Sequence, residues 1–316
     1  MVGLAVGDAL GFPTEFRRRA AILDTFGPDG VTEFVAQLDP RWPARPAIIG
    51  RGHPPGSYSD DTQMSIAVAE GLLGGSGDDV DRVMTRIASR FIAWSRSDDN
   101  DRAPGNACMT GCRNLARAVP WRQAGVADSK GCGSAMRVAP IGLLCWRDQA
   151  RLLELARASS RLTHGHDAGV EGAAAAALLV ALALEKKSPA EMYQAVLAEC
   201  GPRSADFDRC WRKLPGMLDQ PPAFVLSEQG LGESWVAEEA VASALYCHWL
   251  SPTDLRACVL TAINTDGDSD SIGCIAGSIS GAYNGSAAIP EHWRHGVENS
   301  ALLQQLGERL HAAATG

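Results

Sequence analysis

Gly267-Asp268-Ser269-Asp270-Ser271-Ile272-Gly273-Cys274-Ile275-Ala276-Gly277-Ser278-Ile279-Ser280-Gly281-Ala282-Tyr283 carries several patterns at once. Ile272, Ile275, Ala276, Ile279 and Tyr283 recur at three- and four-residue steps, which makes one apolar face of a helix. Gly273, Gly277 and Gly281 repeat every four residues and form a smooth ridge on the same helix. Glycine inside a helix is unfavourable by about 0.5–1 kcal/mol relative to alanine, so the ridge asks for close backbone approach or for ligand access. The helix opens on alternating carboxylates and hydroxyls. Asp266, Asp268 and Asp270 have the spacing of positions one, three and five of a calcium loop. Ser271 and Gly277 stand where that loop needs glycine and glutamate.

The other end of the chain repeats both features. Gly3, Gly7 and Gly11 are again four residues apart, and Ser59-Asp60-Asp61-Thr62 precedes the apolar positions Met64, Ala67, Val68, Gly71 and Leu72. Taken alone, Ser59 with two acids in the first turn reads as an N-cap that suits the helix dipole. Taken together, the two clusters bring four carboxylates with hydroxyls. Gathering them would be unfavourable by roughly several kcal/mol without positive charge among them. The donors are oxygens only, which suits magnesium or manganese rather than zinc or copper.

Between these ends helical periodicity dominates. Val83, Ile87, Phe91 and Trp94, then Leu152, Leu155 and Ala156, then Val236, Ala240, Val241 and Leu245 keep three- and four-residue steps. The best strand candidate is Val31 to Val35. Gly/Pro-rich breaks at 40–56, 102–106, 129–133, 201–202 and 220–223 are spaced as helix connections, and none resembles an interdomain linker. The length of 316 residues admits one large domain or two small ones.

The net charge of −8 is dispersed, and no basic run exceeds Arg17-Arg18-Arg19, so direct binding to a nucleic-acid backbone is not expected. The longest apolar run, Gly172 to Leu184, is too short to cross a bilayer, so no membrane partner is expected. Nine cysteines follow no zinc spacing, and no secretory pattern opens the chain. The expectation is a reduced, cytoplasmic protein whose cysteines are buried small hydrophobes.

Through nearly its whole length the sequence resembles the ADP-ribosylglycohydrolase family. Three ordered motifs carry the resemblance: Gly7-Asp8-Ala9-Leu10-Gly11-Phe12-Pro13-Thr14-Glu15, Tyr58-Ser59-Asp60-Asp61-Thr62 and Gly267-Asp268-Ser269-Asp270-Ser271-Ile272. Weaker matches are Gly105-Asn106-Ala107-Cys108, Lys130-Gly131-Cys132-Gly133-Ser134-Ala135-Met136-Arg137 and Thr163-His164-Gly165-His166.

The resemblance implies an all-α fold, one compact orthogonal helix bundle over 1–316, with two Mg2+ or Mn2+ ions at its centre. It implies Ser59, Asp60, Asp61, Asp268, Asp270 and Ser271 as metal ligands. Glu15 would be a gating or catalytic carboxylate, and Asp60 or Asp61 would hold the attacking water. Gly105 and Asn106 would line the ADP-ribose site. Gly131, Gly133, Ser134 and Met136 would cradle the diphosphate and distal ribose, with His164 bordering the ribose. The implied activity is hydrolysis of the bond between ADP-ribose and a modified protein side chain, arginine first and serine second, with ADP-ribose as product.

The chain departs from the family at Cys132, where Asn is frequent, and at Ser59 and Ser271, where Thr is frequent. It also has Ala103 where the dinitrogenase-reductase enzyme has an acid two residues before Gly105-Asn106; Asp98, Asp99 and Asp101 lie just upstream. Two other readings are a phosphatase and a silent binding protein. Asp268-Ser269-Asp270 after an apolar run is similar to the Asp-x-Asp motif of haloacid-dehalogenase-type phosphatases. A catalytically silent ADP-ribose-binding or crystallin-like protein would keep the pocket without turnover.

Overall fold

The two glycine ridges meet. In the computed structural model, which describes residues 1–42, 52–75 and 77–315, helix Val2–Gly11 runs antiparallel along helix Ser269–Asn284. A Cβ on Gly7 would sit 1.9 Å from the Gly273 carbonyl oxygen, and one on Gly277 would sit 2.2 Å from that of Gly3. Close backbone approach is therefore what the ridges serve, and no larger residue fits. Gly11 closes the row: its Cβ would fall 2.6 Å from Cα of Asp270, so the end of the first helix is pressed against the acidic start of the last ridge.

The N-terminal helix is buried from Val2 to Gly11. Such a helix, buried on every side and apolar except for Asp8, belongs in the middle of a large helical domain. The Ala-rich helix Asp167–Leu184 is a second central element, buried from Ala168 to Ala183. It is longer than the run Gly172–Leu184 suggests, and by length and composition it could cross a membrane. Here 89% of it is buried among other helices. Around this centre amphipathic helices turn one face inward. Val83, Ile87, Phe91 and Trp94 of helix Val80–Trp94 are all buried, as are Leu152, Leu155 and Ala156 of helix Gln149–Arg161.

Among the described residues there is no strand, only two isolated bridges, Val126 with His164 and Gly131 with Val236. The strand expected at Val31 to Val35 does not form. The backbone N–H of Val31 donates to Oδ1 of Asn264 at 2.8 Å, and its carbonyl accepts from Nδ2 of Asn264 at 2.9 Å. A helix-capping amide has taken the groups a ladder would need. The break at 40–56 lies partly outside the described residues, and the remaining breaks fall between helices or at helix starts. All nine cysteines are unpaired and buried. The chain is a single helical domain.

Candidate active site

Two helix N-termini converge on the first helix: the glycine ridges hold helix Ser269–Asn284 against Val2–Gly11, and Asp8 of Val2–Gly11 holds the start of helix Asp60–Leu73. Helix Asp60–Leu73 begins at Ser59, whose Oγ accepts from the Asp61 N–H at 3.3 Å. A second acceptor reinforces this cap. The Asp8 carboxylate, on the fully buried N-terminal helix, accepts from Ser59 N at 2.8 Å, Thr62 N at 2.9 Å and Thr62 Oγ1 at 2.5 Å. Asp8 therefore fixes where the first acidic cluster starts. Burial pushes its carboxyl up to about 6, while these hydrogen bonds pull the other way.

The second helix start is held in the same manner. Thr14 Oγ1 bonds to the Gly11 and Ile263 carbonyls at 2.8 and 2.9 Å and to Ser269 Oγ at 2.9 Å. The backbone N–H of Phe16 donates to the Gly267 carbonyl at 2.6 Å, with Gly267 at φ +83°, a conformation that favours glycine. Glu15 is thereby carried to Asp270.

The result is a cavity of about 340 Å3 whose acidic wall comprises Glu15, Asp60, Asp61, Asp268 and Asp270, with Ser271 beside them. Burial, and then the neighbouring carboxylates, raise Asp60, Asp61 and Asp270 well above the ordinary carboxylate range. Oδ2 of Asp61 is buried without a hydrogen-bond partner. Buried polar atoms are normally satisfied, so an orphaned carboxylate oxygen on a cavity wall marks a place for a cation or a proton. Among the described residues no three His, Cys, Asp or Glu side chains already enclose a point as a finished cage. The donor set, oxygens of carboxylates and hydroxyls, fits a hard divalent ion.

The facing wall contains Gly105, Asn106, Gly131, Gly133, Met136 and His164. Crowding requires glycine at 133, whereas a Cβ on Gly105 would meet only Cys108 Sγ at 4.0 Å. A Cβ on Gly133 would lie 2.7 Å from Cys108 Sγ and 3.0 Å from Cε1 of His164. His164 is buried, and burial together with the Arg137 charge lowers it to about 3, so its ring is neutral. Arg137 Nη2 donates to Thr163 Oγ1 at 2.7 Å, and Thr163 Oγ1 lies 2.7 Å from His164 Nδ1. Thr163 is fully buried and its hydroxyl proton needs an acceptor; of these two partners only the imidazole can accept, so that proton goes to Nδ1 and the imidazole carries its own proton on Nε2, free to donate to a ligand.

Two expected residues stand behind the wall rather than on it. Ser59 is fully buried as the cap. Ser134 is fully buried, its Oγ donating to the Gly169 carbonyl at 2.9 Å. Asp98, Asp99 and Asp101 do not line the cavity, whereas Ala103 does. Asp101 instead lies 3.3 Å from His53 Nε2.

Sequence reasoning gave no role to Asp8, although it lies in a quoted motif, or to the aromatic pair Phe16 and Trp235 at the cavity mouth. Their rings stack with centroids 4.3 Å apart. Neither belongs to a periodic pattern, and only spatial proximity pairs them. The phosphatase reading fails on the fold. Its Asp-x-Asp motif needs a strand end, and here Asp268 precedes a helix in a chain with no strand among the described residues.

Comparisons with known proteins agree with this architecture. A family model described as ADP-ribosylglycohydrolase matches residues 1–316. ADP-ribosylhydrolase ARH3 of Bos taurus is 30% identical over 351 aligned positions, covering 98% of this chain and 91% of that protein. The ADP-ribosyl-[dinitrogen reductase] glycohydrolase of Rhodospirillum rubrum is 25% identical over 295, covering 92% of this chain and 86% of its own. A solved structure described as an ADP-ribosylglycohydrolase-related protein complex superposes with a TM-score of 0.77 at 27% identity, covering 99% of this chain and 95% of the other. The chain therefore belongs to the ADP-ribosylglycohydrolase family, glycosidases that hydrolyse ADP-ribose from modified targets.

Proposed function

We propose that the protein removes ADP-ribose from a modified protein side chain, with two Mg2+ or Mn2+ ions held by Asp60, Asp61, Asp268 and Asp270 and by the hydroxyl of Ser271, while Ser59 serves as the helix cap behind them. The observation that carries this reading is the convergence of two acidic helix starts on one cavity, with the buried Asp61 Oδ2 lacking a partner. Such ions would supply charge stabilisation and a template for vicinal ribose hydroxyls.

The chain's own groups do the rest. Asp60 or Asp61 accepts a hydrogen bond from the attacking water and orients it toward the anomeric carbon. Water adds to that carbon, the bond to the acceptor breaks, and the acceptor leaves with a proton. Glu15, on the same wall, is placed to pass that proton. The glycine-lined wall lets backbone groups approach the diphosphate, and Nε2–H of His164 is available to a ribose oxygen.

For the acceptor, Ala103 bears on the choice. It lines the cavity at the position where the family resemblance implies an acid in the dinitrogenase-reductase enzyme, and Asp98, Asp99 and Asp101 lie off the wall. A guanidinium leaving group would find no carboxylate there, which favours an O-linked acceptor such as serine over arginine. Mono-ADP-ribosylated serine and arginine peptides, incubated with the protein and Mg2+ or Mn2+, decide it. Faster ADP-ribose release from the serine peptide is expected; faster release from the arginine peptide contradicts the acceptor assignment. Binding of ADP-ribose without release from either would make the protein a silent binder.

A further inference from the structure

We propose that Cys132 is a sulfur donor to the acidic wall, giving the site a second mode in which one thiophilic divalent ion, Zn2+, Cd2+ or Co2+, binds through Cys132 Sγ with Asp268 and Asp61 and competes with the hard ions. The inference rests on the reading that this wall holds divalent cations.

Cys132 lines the same cavity as the carboxylates. Its Sγ lies 2.9 Å from Asp268 Oδ2 and 3.5 Å from Ser271 Oγ. The one other cysteine on the cavity wall, Cys108, approaches the Gly133 carbonyl and Arg137 instead. A short 3-10 turn fixes Cys132, whose N–H donates to the Trp235 carbonyl at 3.1 Å. Independently, Asp61 places a buried, unpartnered carboxylate oxygen in this cavity.

Magnesium gains nothing from a thiol, whereas softer ions bind sulfur in preference to oxygen. Tetrahedral ligation by one sulfur and one carboxylate oxygen needs about 3.6 Å between them. The S–H···O contact thus has to open by well under 1 Å. Ligation replaces the S–H bond by a sulfur–metal bond. The thiol proton leaves to solvent, and the metal does not change oxidation state.

The test uses the full chain after chelation, as wild type, Cys132→Ser and Cys132→Asn. Co2+ titration should produce a near-ultraviolet sulfur-to-cobalt band in the wild type that is missing in both variants. By calorimetry, the affinity for Cd2+ relative to Mg2+ should fall at least about tenfold in the variants, the scale of losing a partner to a bound metal. Wild type without the band, or a band and Cd2+ affinity that persist in both variants, overturns the proposal. Mg2+-induced thermal stabilisation without a Cys132-dependent band sinks this proposal alone. A Cys132-dependent band without any stabilisation by Mg2+ or Mn2+ supports the sulfur ligation, overturns its competition with hard ions and sinks the hard-ion reading.

Discussion

Asp8 is the residue on which the first acidic cluster depends. Its two oxygens accept from two backbone amides and one hydroxyl at the start of helix Asp60–Leu73, so replacing one oxygen by an NH2 group sets donor against donor. Asp8→Asn is expected to lower stability at neutral pH by about 1–3 kcal/mol, measured by denaturant unfolding of the metal-free protein. His164 offers one hydrogen bond to a ligand. His164→Ala should therefore raise KM about tenfold, the scale of one lost hydrogen bond to a charged or buried partner, with a smaller change in kcat. An unchanged KM would remove His164 from the binding wall. By contrast, neutralising Asp98, Asp99 or Asp101 singly should leave turnover close to wild type, since none lines the cavity.

The helix pair Val2–Gly11 and Ser269–Asn284 is the element that makes the site possible. Where Gly7 meets Gly273, an added methyl group would lie 1.9 Å from a backbone oxygen, which no side-chain rotation can relieve. Gly7→Ala must push the helices apart, at about 3 kcal/mol, the upper range for overpacking a core. Because Asp60–Leu73 is capped from the first helix and Asp268 begins the second, the same change should weaken divalent-ion binding. Thermal unfolding with and without Mg2+ checks both effects. Gly216, whose Cβ would meet nothing within 4 Å, is the control position. The ridges were readable as a four-residue repeat, but a repeat alone could not separate helix contact from ligand access. That distinction depends on which residue faces which, a property of the pair and not of either helix.

For the whole molecule the buried acids set a pH dependence. Asp8 is raised from 3.8 to about 6, and burial and then the neighbouring carboxylates raise Asp60, Asp61 and Asp270 well above the ordinary carboxylate range. The native metal-free protein thus keeps protons that the unfolded chain has already lost. The stabilisation from Asp8 is complete below pH 3.8 and is lost as pH rises through about 6. Divalent cations compete with those protons, so the rise in melting temperature caused by Mg2+ or Mn2+ should be small near pH 5 and grow toward pH 8. A metal effect independent of pH would contradict the carboxylate set.

Much of this was legible in one dimension. The helices at Val83–Trp94 and Leu152–Ala156 follow from period, and the acidic starts from composition and motif. What was not legible needed distant partners: Asn264 using the backbone of Val31, Asp8 capping a helix fifty residues away, and Phe16 stacking on Trp235.

The most direct test is release of free ADP-ribose from a mono-ADP-ribosylated serine peptide in Mg2+ or Mn2+, with wild type, wild type plus chelator, and Asp268→Ala. Turnover by the wild type that is abolished by chelator and by Asp268→Ala is the predicted result. Undiminished release after chelation, or an active Asp268→Ala, would contradict a metal-bearing acidic wall as the catalytic centre.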